Sequence, residues 1–469
     1  MTKQTKSRVI DMTKGNPISL LIRFAIPMLI GNLFQQLYNL ADSVIVGKYV
    51  GTEAIGAVGS VGSLNFLTFS LCLGLGSGMG ILISQYVGAG ERDKIKRAIG
   101  NSVYITVAAG LLMSFLSVFF ARDILTVMKV PAENFQFALD YMRIVCGATV
   151  VVAGYNTVSS ILRALGDSKT PLIFLIVSCV VNIVLDLVLT VYLGMGVTGC
   201  AVATVISQFV ALTGSIVVGY KKIDYMKLRK EHFALRPDIM RAGIRLGIPL
   251  ALQSSLIAVS CVSLQAVVNG FGPVTMAAYT ATGKVEQLVQ QPFNSLGLAL
   301  STYAGQNYGA GLHERVKEGT RKSMGLVLIF SILMVLLMHV FGRDIVGVFI
   351  KADSYEVIET GASGLEITSF MYFFLGMIYV MRGTLNGVGD AGFSLVNGVA
   401  EVICRIGFAL LLTNLPFVGV WGIWWTNGLT WTFTGVVCLW RFIWYLKKRG
   451  LFEIKKVRSG KHVVEKAGA

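Results

Sequence analysis

Residues 170–192 read TPLIFLIVSCVVNIVLDLVLTVY, a run in which Asp186 is the one charged side chain and Asn182 the one amide. A helix of that length crosses a hydrocarbon layer about 30 Å thick. Comparable runs occupy residues 102–121 and 325–341, and charge gathers in short clusters between such runs. Of 469 residues, 54% are apolar and 14% charged, against about 25% charged in ordinary soluble domains. A soluble globule of this length would need a polar outside, and too few polar residues exist to make one. The chain therefore reads as a multi-pass membrane protein. Its 52 glycines suit membrane helices that pack through small side chains.

Working outward from that run, apolar stretches predict twelve helical spans, at about 17–45, 54–86, 97–120, 136–162, 170–192, 196–220, 240–268, 276–305, 320–341, 360–384, 392–413 and 417–446. An even number returns both termini to one side. The loops opposite the termini carry only Lys48, Arg122, Lys129, Arg343 and Lys351, whereas Lys and Arg crowd residues 92–97, 221–245, 315–322 and the tail from Arg441. By the positive-inside rule both termini face the cytoplasm. The net charge of +16 thus reports topology, and no nucleic-acid partner is expected. The first apolar stretch is long and has no small-residue cleavage site, so it reads as a retained span. All seven cysteines fall inside predicted spans and read as small buried apolar residues. The four histidines are scattered, and no metal site is expected.

The chain also repeats itself. Gln85-Tyr86-Val87-Gly88-Ala89-Gly90 recurs 221 positions later as Gln306-Asn307-Tyr308-Gly309-Ala310-Gly311, and Lys96 falls on Lys317 at the same offset. Gly74, Gly76, Gly78 and Gly80 fall on Ser295, Gly297, Ala299 and Ser301. Ile26-Pro27 matches Ile248-Pro249, Gly166-Asp167 matches Gly389-Asp390, and Gly199 matches Gly419. So many matches in one order mean duplication. Six spans per repeat give both halves the same orientation, so a two-fold axis along the membrane normal should relate them. The predicted organisation is a cytoplasmic segment at 1–16, a first lobe at 17–220, a cytoplasmic linker at 221–245, a second lobe at 246–446 and a basic tail at 447–469, the last an anchor at the anionic inner leaflet. Residues 74–80 do not spell the dinucleotide fingerprint and follow no strand. Their glycines give GxxxG spacing for helix contact instead. No Walker motif is present, so ATP is not the expected energy source.

On these residues the chain resembles the multidrug and toxic compound extrusion (MATE) transporters along nearly its whole length. The resemblance is carried by Tyr38-Asn39-Leu40-Ala41-Asp42-Ser43-Val44-Ile45-Val46-Gly47, the two GAG loops, Arg163-Ala164-Leu165-Gly166-Asp167 and Asn182-Ile183-Val184-Leu185-Asp186. It implies an all-α membrane fold of about twelve helices in two six-helix lobes, a central cavity, and export of cationic, often aromatic, compounds against inward H⁺ or Na⁺. It implies no enzymatic activity and no cofactor beyond that coupling ion.

Acids inside spans are costly and usually face a cavity with a function. Asp42 and Asp186 are the acids of this kind in the first lobe. Asn182 and Asp186 share a helix face four residues apart, as do Tyr38 and Asp42. In the resembled family the matching acids, with Asn182 and Thr204, form the proton or cation site, and Gln35, Tyr38 and Asp42 line the substrate cavity. The alternative is that each acid merely hydrogen-bonds a neighbouring helix. Two carboxylates facing one low-dielectric pocket cannot both carry charge cheaply, so one should hold a proton near neutral pH. Pro27 permits a kink in the first span and reads as a hinge, or as a proline tolerated near a helix start. No acid lies between Arg245 and Lys284, where NorM-like members carry a Glu, so the chain resembles DinF-like members more. Glu286, Glu366 and Glu401 remain as second-lobe acids, and Glu401 should pair with Arg405 at i,i+4.

The expected function is secondary efflux of small organic cations in exchange for H⁺ or Na⁺, by a monomer in a bacterial plasma membrane. A lipid-linked oligosaccharide flippase is the alternative. It would line its cavity with several basic residues, and only Arg143, Lys284 and Arg405 fall clearly inside the spans. A membrane-embedded enzyme would need a catalytic cluster that the sequence does not show. A channel suits two lobes less well than alternating access does.

Overall fold

The computed structural model describes residues 9–350 and 354–451, and no strand occurs among them. Helices α1 (Pro17–Tyr49), α2 (Thr52–Ala89), α3 (Arg92–Phe119), the short α4 (Ala121–Val127), α5 (Ala132–Gly147), α6 (Thr149–Ala164), α7 (Lys169–Leu185) and α8 (Gly196–Lys222) build the first lobe. The second contains α9 (Pro237–Asn269), α10 (Pro273–Gly309), α11 (His313–Gly347), α12 (Tyr355–Ser369), α13 (Tyr372–Gly387), α14 (Ala391–Thr413) and α15 (Gly422–Lys448). Among the described residues eight helices are long and apolar enough to cross a bilayer, and ten if the pairs α5–α6 and α12–α13, bent by 46° and 51°, each count as one span. Counting the long helices α10 and α15 as well gives the twelve expected. Both are long but less apolar, because much of their polar surface lies against protein: Glu286, Gln306, Asn307, Asn427 and Thr430 are all buried.

The two bent spans are the main departure from twelve plain rods. Of the expected linker, residues 221–222 still belong to α8 and residues 237–245 are already helical in α9. The remainder docks on α3, where Asn101 hydrogen-bonds Ala234 O at 3.2 Å and Arg236 N at 2.9 Å. Most of the basic tail, from residue 452 on, and residues 1–8 lie outside the described chain.

The lobes meet at the face that carries the described ends, in a seam that obeys the internal two-fold. The repeated GAG motif explains it. A Cβ at Gly88 would collide with the Gln306 carbonyl oxygen, and a Cβ at Gly309 with that of Gln85. Gly90 and Gly311, at φ of 72° and 73°, turn the chain through the left-handed region just beyond. The glutamines lock the seam reciprocally. Gln85 Nε2 donates to Gly387 O across the seam at 2.8 Å, and Gln306 Nε2 to Ala164 O at 2.9 Å.

Helices α1 and α9 exchange between lobes. In its first turns α1 places Leu21, Phe24 and Met28 in the second-lobe core with Phe293, Leu296 and Tyr372. From Gly31 it packs on Leu172 and Leu175 of the first lobe. Likewise α9 sends Ile239, Leu246 and Leu250 into the first-lobe core, then returns Leu264 and Val268 to its own lobe. Pro27 and Pro249 sit at these crossovers, where a missing backbone hydrogen bond makes bending cheap. Ahead of α1, residues 9–16 form a strap. Met12 is fully buried, its N–H bonded to Gln306 Oε1 at 3.0 Å and its carbonyl to Asn307 Nδ2 at 3.0 Å.

The seam predicts that Gly88→Val or Gly309→Val forces the lobes apart at this face, since backbone cannot yield as a side chain does. The overpacking should cost about 1–3 kcal/mol. In either background a cysteine at Gln85 should react with an impermeant maleimide several-fold faster than in the parent. Equal labelling rates would show that the seam is not closed by these glycines.

Candidate functional site

In the first lobe, away from the seam, α1, α7 and α8 converge on a buried polar cluster. Asn182 and Asp186 are fully buried, Asp42 is 8% exposed, and Cys200 is buried beside them. One carboxylate oxygen each from Asp42 and Asp186 and the Cys200 sulfur lie within 4.8 Å of one another. The Cys200 thiol donates to Asp42 Oδ1 at 2.9 Å. Tyr38 Oη stands 3.3 Å from Thr204 Oγ1, closing the cluster toward α1. Gln35 does not join it. Its amide donates to Asn39 one turn away at 3.4 Å.

Helix α7 changes its winding at this point. Asp186–Tyr192 is π-helical, a form often found at functional sites. Gly199 lets α8 press against the backbone of Leu189 and Thr190 in that segment. Both Asp186 oxygens, both Asn182 amide atoms and the Thr190 hydroxyl are buried without a hydrogen-bond partner. Buried polar atoms are seldom left so, because each forfeits its solvation. The pocket therefore offers unused oxygen donors that a proton or a hard cation would satisfy. The Cys200 thiol is a soft group and adds little for such a cation.

The second lobe treats the equivalent positions differently. At the offsets that relate Pro27 to Pro249 and Gly166 to Gly389, Asp42 falls on Leu264, Asp186 on Ala409 and Asn182 on Arg405. Leu264 and Ala409 belong to one apolar cluster with Trp424. Arg405 donates to Ser260 Oγ at 2.6 Å and to Glu401 Oε1 at 3.0 Å. The expected Glu401–Arg405 pair is present, and Arg382 extends it by binding the other Glu401 oxygen at 2.7 Å. Glu286 is buried nearby with Oε1 unpartnered, in a cavity of about 460 Å³ that Arg382, Glu401 and Arg405 also line. Glu366 is only half-buried and does not line that cavity.

Several residues escaped the sequence. Reading all cysteines as inert core missed the hydrogen bond from Cys200, although its i,i+4 spacing to Thr204 places it on the same face. Thr190 stands in the same relation to Asp186. Cys261 is exposed and Cys404 half-buried, so burial does not hold for all seven. The membrane helices enclose more basic residues than Arg143, Lys284 and Arg405. Arg163 lies in α6 and Arg382 in α13, and both line a cavity between the lobes, which removes one objection to the flippase alternative.

Comparison with known proteins bears on the whole chain. The family model described as MatE matches residues 27–188 and 249–411, once in each lobe. The chain is 30% identical over 411 residues to the probable multidrug resistance protein YoeA of Bacillus subtilis, covering 85% of this chain and 88% of that protein. It is 28% identical over 419 residues to the probable multidrug resistance protein YpnP of the same organism, covering 88% and 90%. A crystal structure described as MATE in the bent conformation superposes with a TM-score of 0.87 at 22% identity, over 96% of this chain and all of that one.

The Arg382–Glu401–Arg405 triad predicts an order of stabilities. Glu401→Gln leaves two guanidinium groups facing each other inside the protein and should cost about 3–5 kcal/mol. Arg405→Gln leaves Glu401 paired with Arg382 and should cost less. Thermal unfolding of the purified variants reads the difference. Equal destabilisation would show that Glu401 does not bridge the pair.

Proposed function

Since this chain belongs to the MatE family, whose members are transporters rather than enzymes, we propose that it is a secondary efflux carrier exporting small organic cations in exchange for H⁺. Relatives named for multidrug resistance support export of varied small molecules. The observation that carries the coupling is the first-lobe pocket, where Asp42 and Asp186 meet beside unpartnered Asn182 and Thr190.

The proposed cycle follows from charge. With one of the two acids protonated and the other charged, a cationic solute is held by carboxylate attraction in a medium that screens little. A proton arriving from outside neutralises the pocket, weakens that hold and lets α1 bend at Pro27, where it crosses between lobes. Gln35, Tyr38 and Asp42 form the strip of α1 that faces the solute. Asp186, Asn182 and Thr204 complete the proton site. Exchange of one proton for one monovalent cation moves no net charge, so ΔpH alone drives it at about 1.4 kcal/mol per unit. Sodium is the second reading, because the same side chains supply oxygen ligands. The carrier is read as a monomer in a bacterial plasma membrane. The basic loops at the seam face support termini, linker and seam on the cytoplasmic side.

Asp42→Asn and Asp186→Asn should insert normally yet lose uphill efflux, because an amide approximates the protonated acid and cannot cycle. Vesicles with ΔpH and ΔNa⁺ imposed separately test this. Uphill efflux surviving in both variants would remove these acids from the mechanism, and efflux following ΔNa⁺ at equal pH would replace the proton with sodium. For topology, a cysteine at Lys227 should be labelled only from the cytoplasm and one at Lys129 only from outside. The reverse pattern would invert the cycle.

A further inference from the structure

Between the lobes, on the membrane side of the glycine seam, lies a cavity of about 310 Å³ walled by α2, α6, α9, α10 and α13. Its chemistry is opposite to that of the first-lobe pocket. Arg163 enters it from one lobe and Arg382 from the other, and no Asp or Glu lines it. Ser77, Ser84, Gln253, Asn294 and Asn386 add neutral polar groups to the wall.

The two arginines differ in how their charge is met. Arg382 pairs with Glu401, but Glu401 also serves Arg405, so the triad of two guanidinium groups and one carboxylate keeps a net positive charge. Arg163 makes no ion pair among the described residues. Its Nη2 donates to the Ser160 hydroxyl at 2.9 Å, one of five N–H donors on the group. The next acid along the chain, Asp167, forms no ion pair with it and accepts instead from Thr170 N at 3.0 Å at the start of α7. An arginine kept inside a membrane protein without a counter-charge is costly, and such residues mark the path of a ligand that supplies the charge.

We propose that this interlobe cavity is an anion-binding site, in which Arg163, with Arg382 opposite, takes a carboxylate or phosphate group of an organic solute. Guanidinium binds both groups through paired N–H···O bonds, and the surrounding serines and amides satisfy the remaining oxygens. The carrier would then accept anionic and zwitterionic compounds as well as cations. A zwitterion could set its acidic group here and its ammonium toward the first-lobe acids. The site stands whether or not Asp42 and Asp186 couple transport to protons.

The test uses full-length purified protein in nanodiscs and two fluorescent aromatic probes of opposite charge, fluorescein and rhodamine 6G, followed by anisotropy. Arg163→Gln should weaken fluorescein binding roughly tenfold, the worth of one charge-assisted contact, and leave rhodamine 6G binding within about twofold. Arg163→Lys should recover part of the fluorescein affinity, since it restores the charge but not the fork. Asp42→Asn should instead weaken rhodamine 6G binding, the opposite selectivity to Arg163→Gln, which separates failure of this site from failure of the coupling pocket. Unchanged fluorescein affinity in Arg163→Gln, or lysine performing no better than glutamine, overturns the proposal. Nanodiscs of phosphatidylglycerol against phosphatidylcholine identify the natural source. Weaker fluorescein binding in phosphatidylglycerol, lost in Arg163→Gln, assigns the site to a lipid headgroup, and no lipid dependence assigns it to a soluble anion.

Discussion

Backbone pressed against backbone at Gly88 and Gly309 is the constraint from which the rest of the architecture follows. No side chain can be interposed there, so the two lobes are fixed in register where α2 and α10 end. The glutamine bonds to Gly387 and Ala164 then tie each of those helices to the bent span of the opposite lobe. With this face shut, the halves of α1 and α9 nearest it have nowhere to pack except into the other lobe. Their prolines fall where the allegiance changes.

Duplication supplied the frame, and divergence supplied the chemistry. The first lobe holds its acids where the second holds Leu264 and Ala409, and Arg405 stands where the first has Asn182. An acid pocket in one lobe and a basic triad in the other give the molecule an internal electrical polarity that the symmetric backbone lacks. Such a pair of lobes can respond unequally to one event, which identical lobes cannot do. The shared cavity lies between these two environments, lined by an arginine from each side.

Much of this was legible from residues alone. Apolar length predicts the spans, because each must satisfy its backbone internally across the hydrocarbon. The repeat predicts two like-oriented lobes, and i,i+4 spacing places Asn182 with Asp186 and Glu401 with Arg405. The bends at Ala148 and near Phe370 left no trace, since a kink without proline changes neither hydropathy nor period. The π-helical winding at Asp186 was hidden for the same reason. Arg163 falls one residue beyond the predicted span 136–162 and Arg382 two residues inside the end of 360–384, and hydropathy, which reports what a residue costs in lipid, is blind to a polar cavity enclosed by protein. Cys200 was misjudged because its type says buried, and only the fold shows which acid it is buried against.

The strap at residues 9–16 has a consequence for how the molecule is made. Its Met12 bonds to Gln306 and Asn307, nearly three hundred positions further along the chain. A ribosome delivers the strap and α1 long before α10 exists, so the first helix enters the bilayer with half of its partners still unsynthesised. During that interval Leu21, Phe24 and Met28 must rest against lipid or an insertion factor. The earliest segment described is therefore among the last to be fastened, and its docking reports that both halves have been delivered.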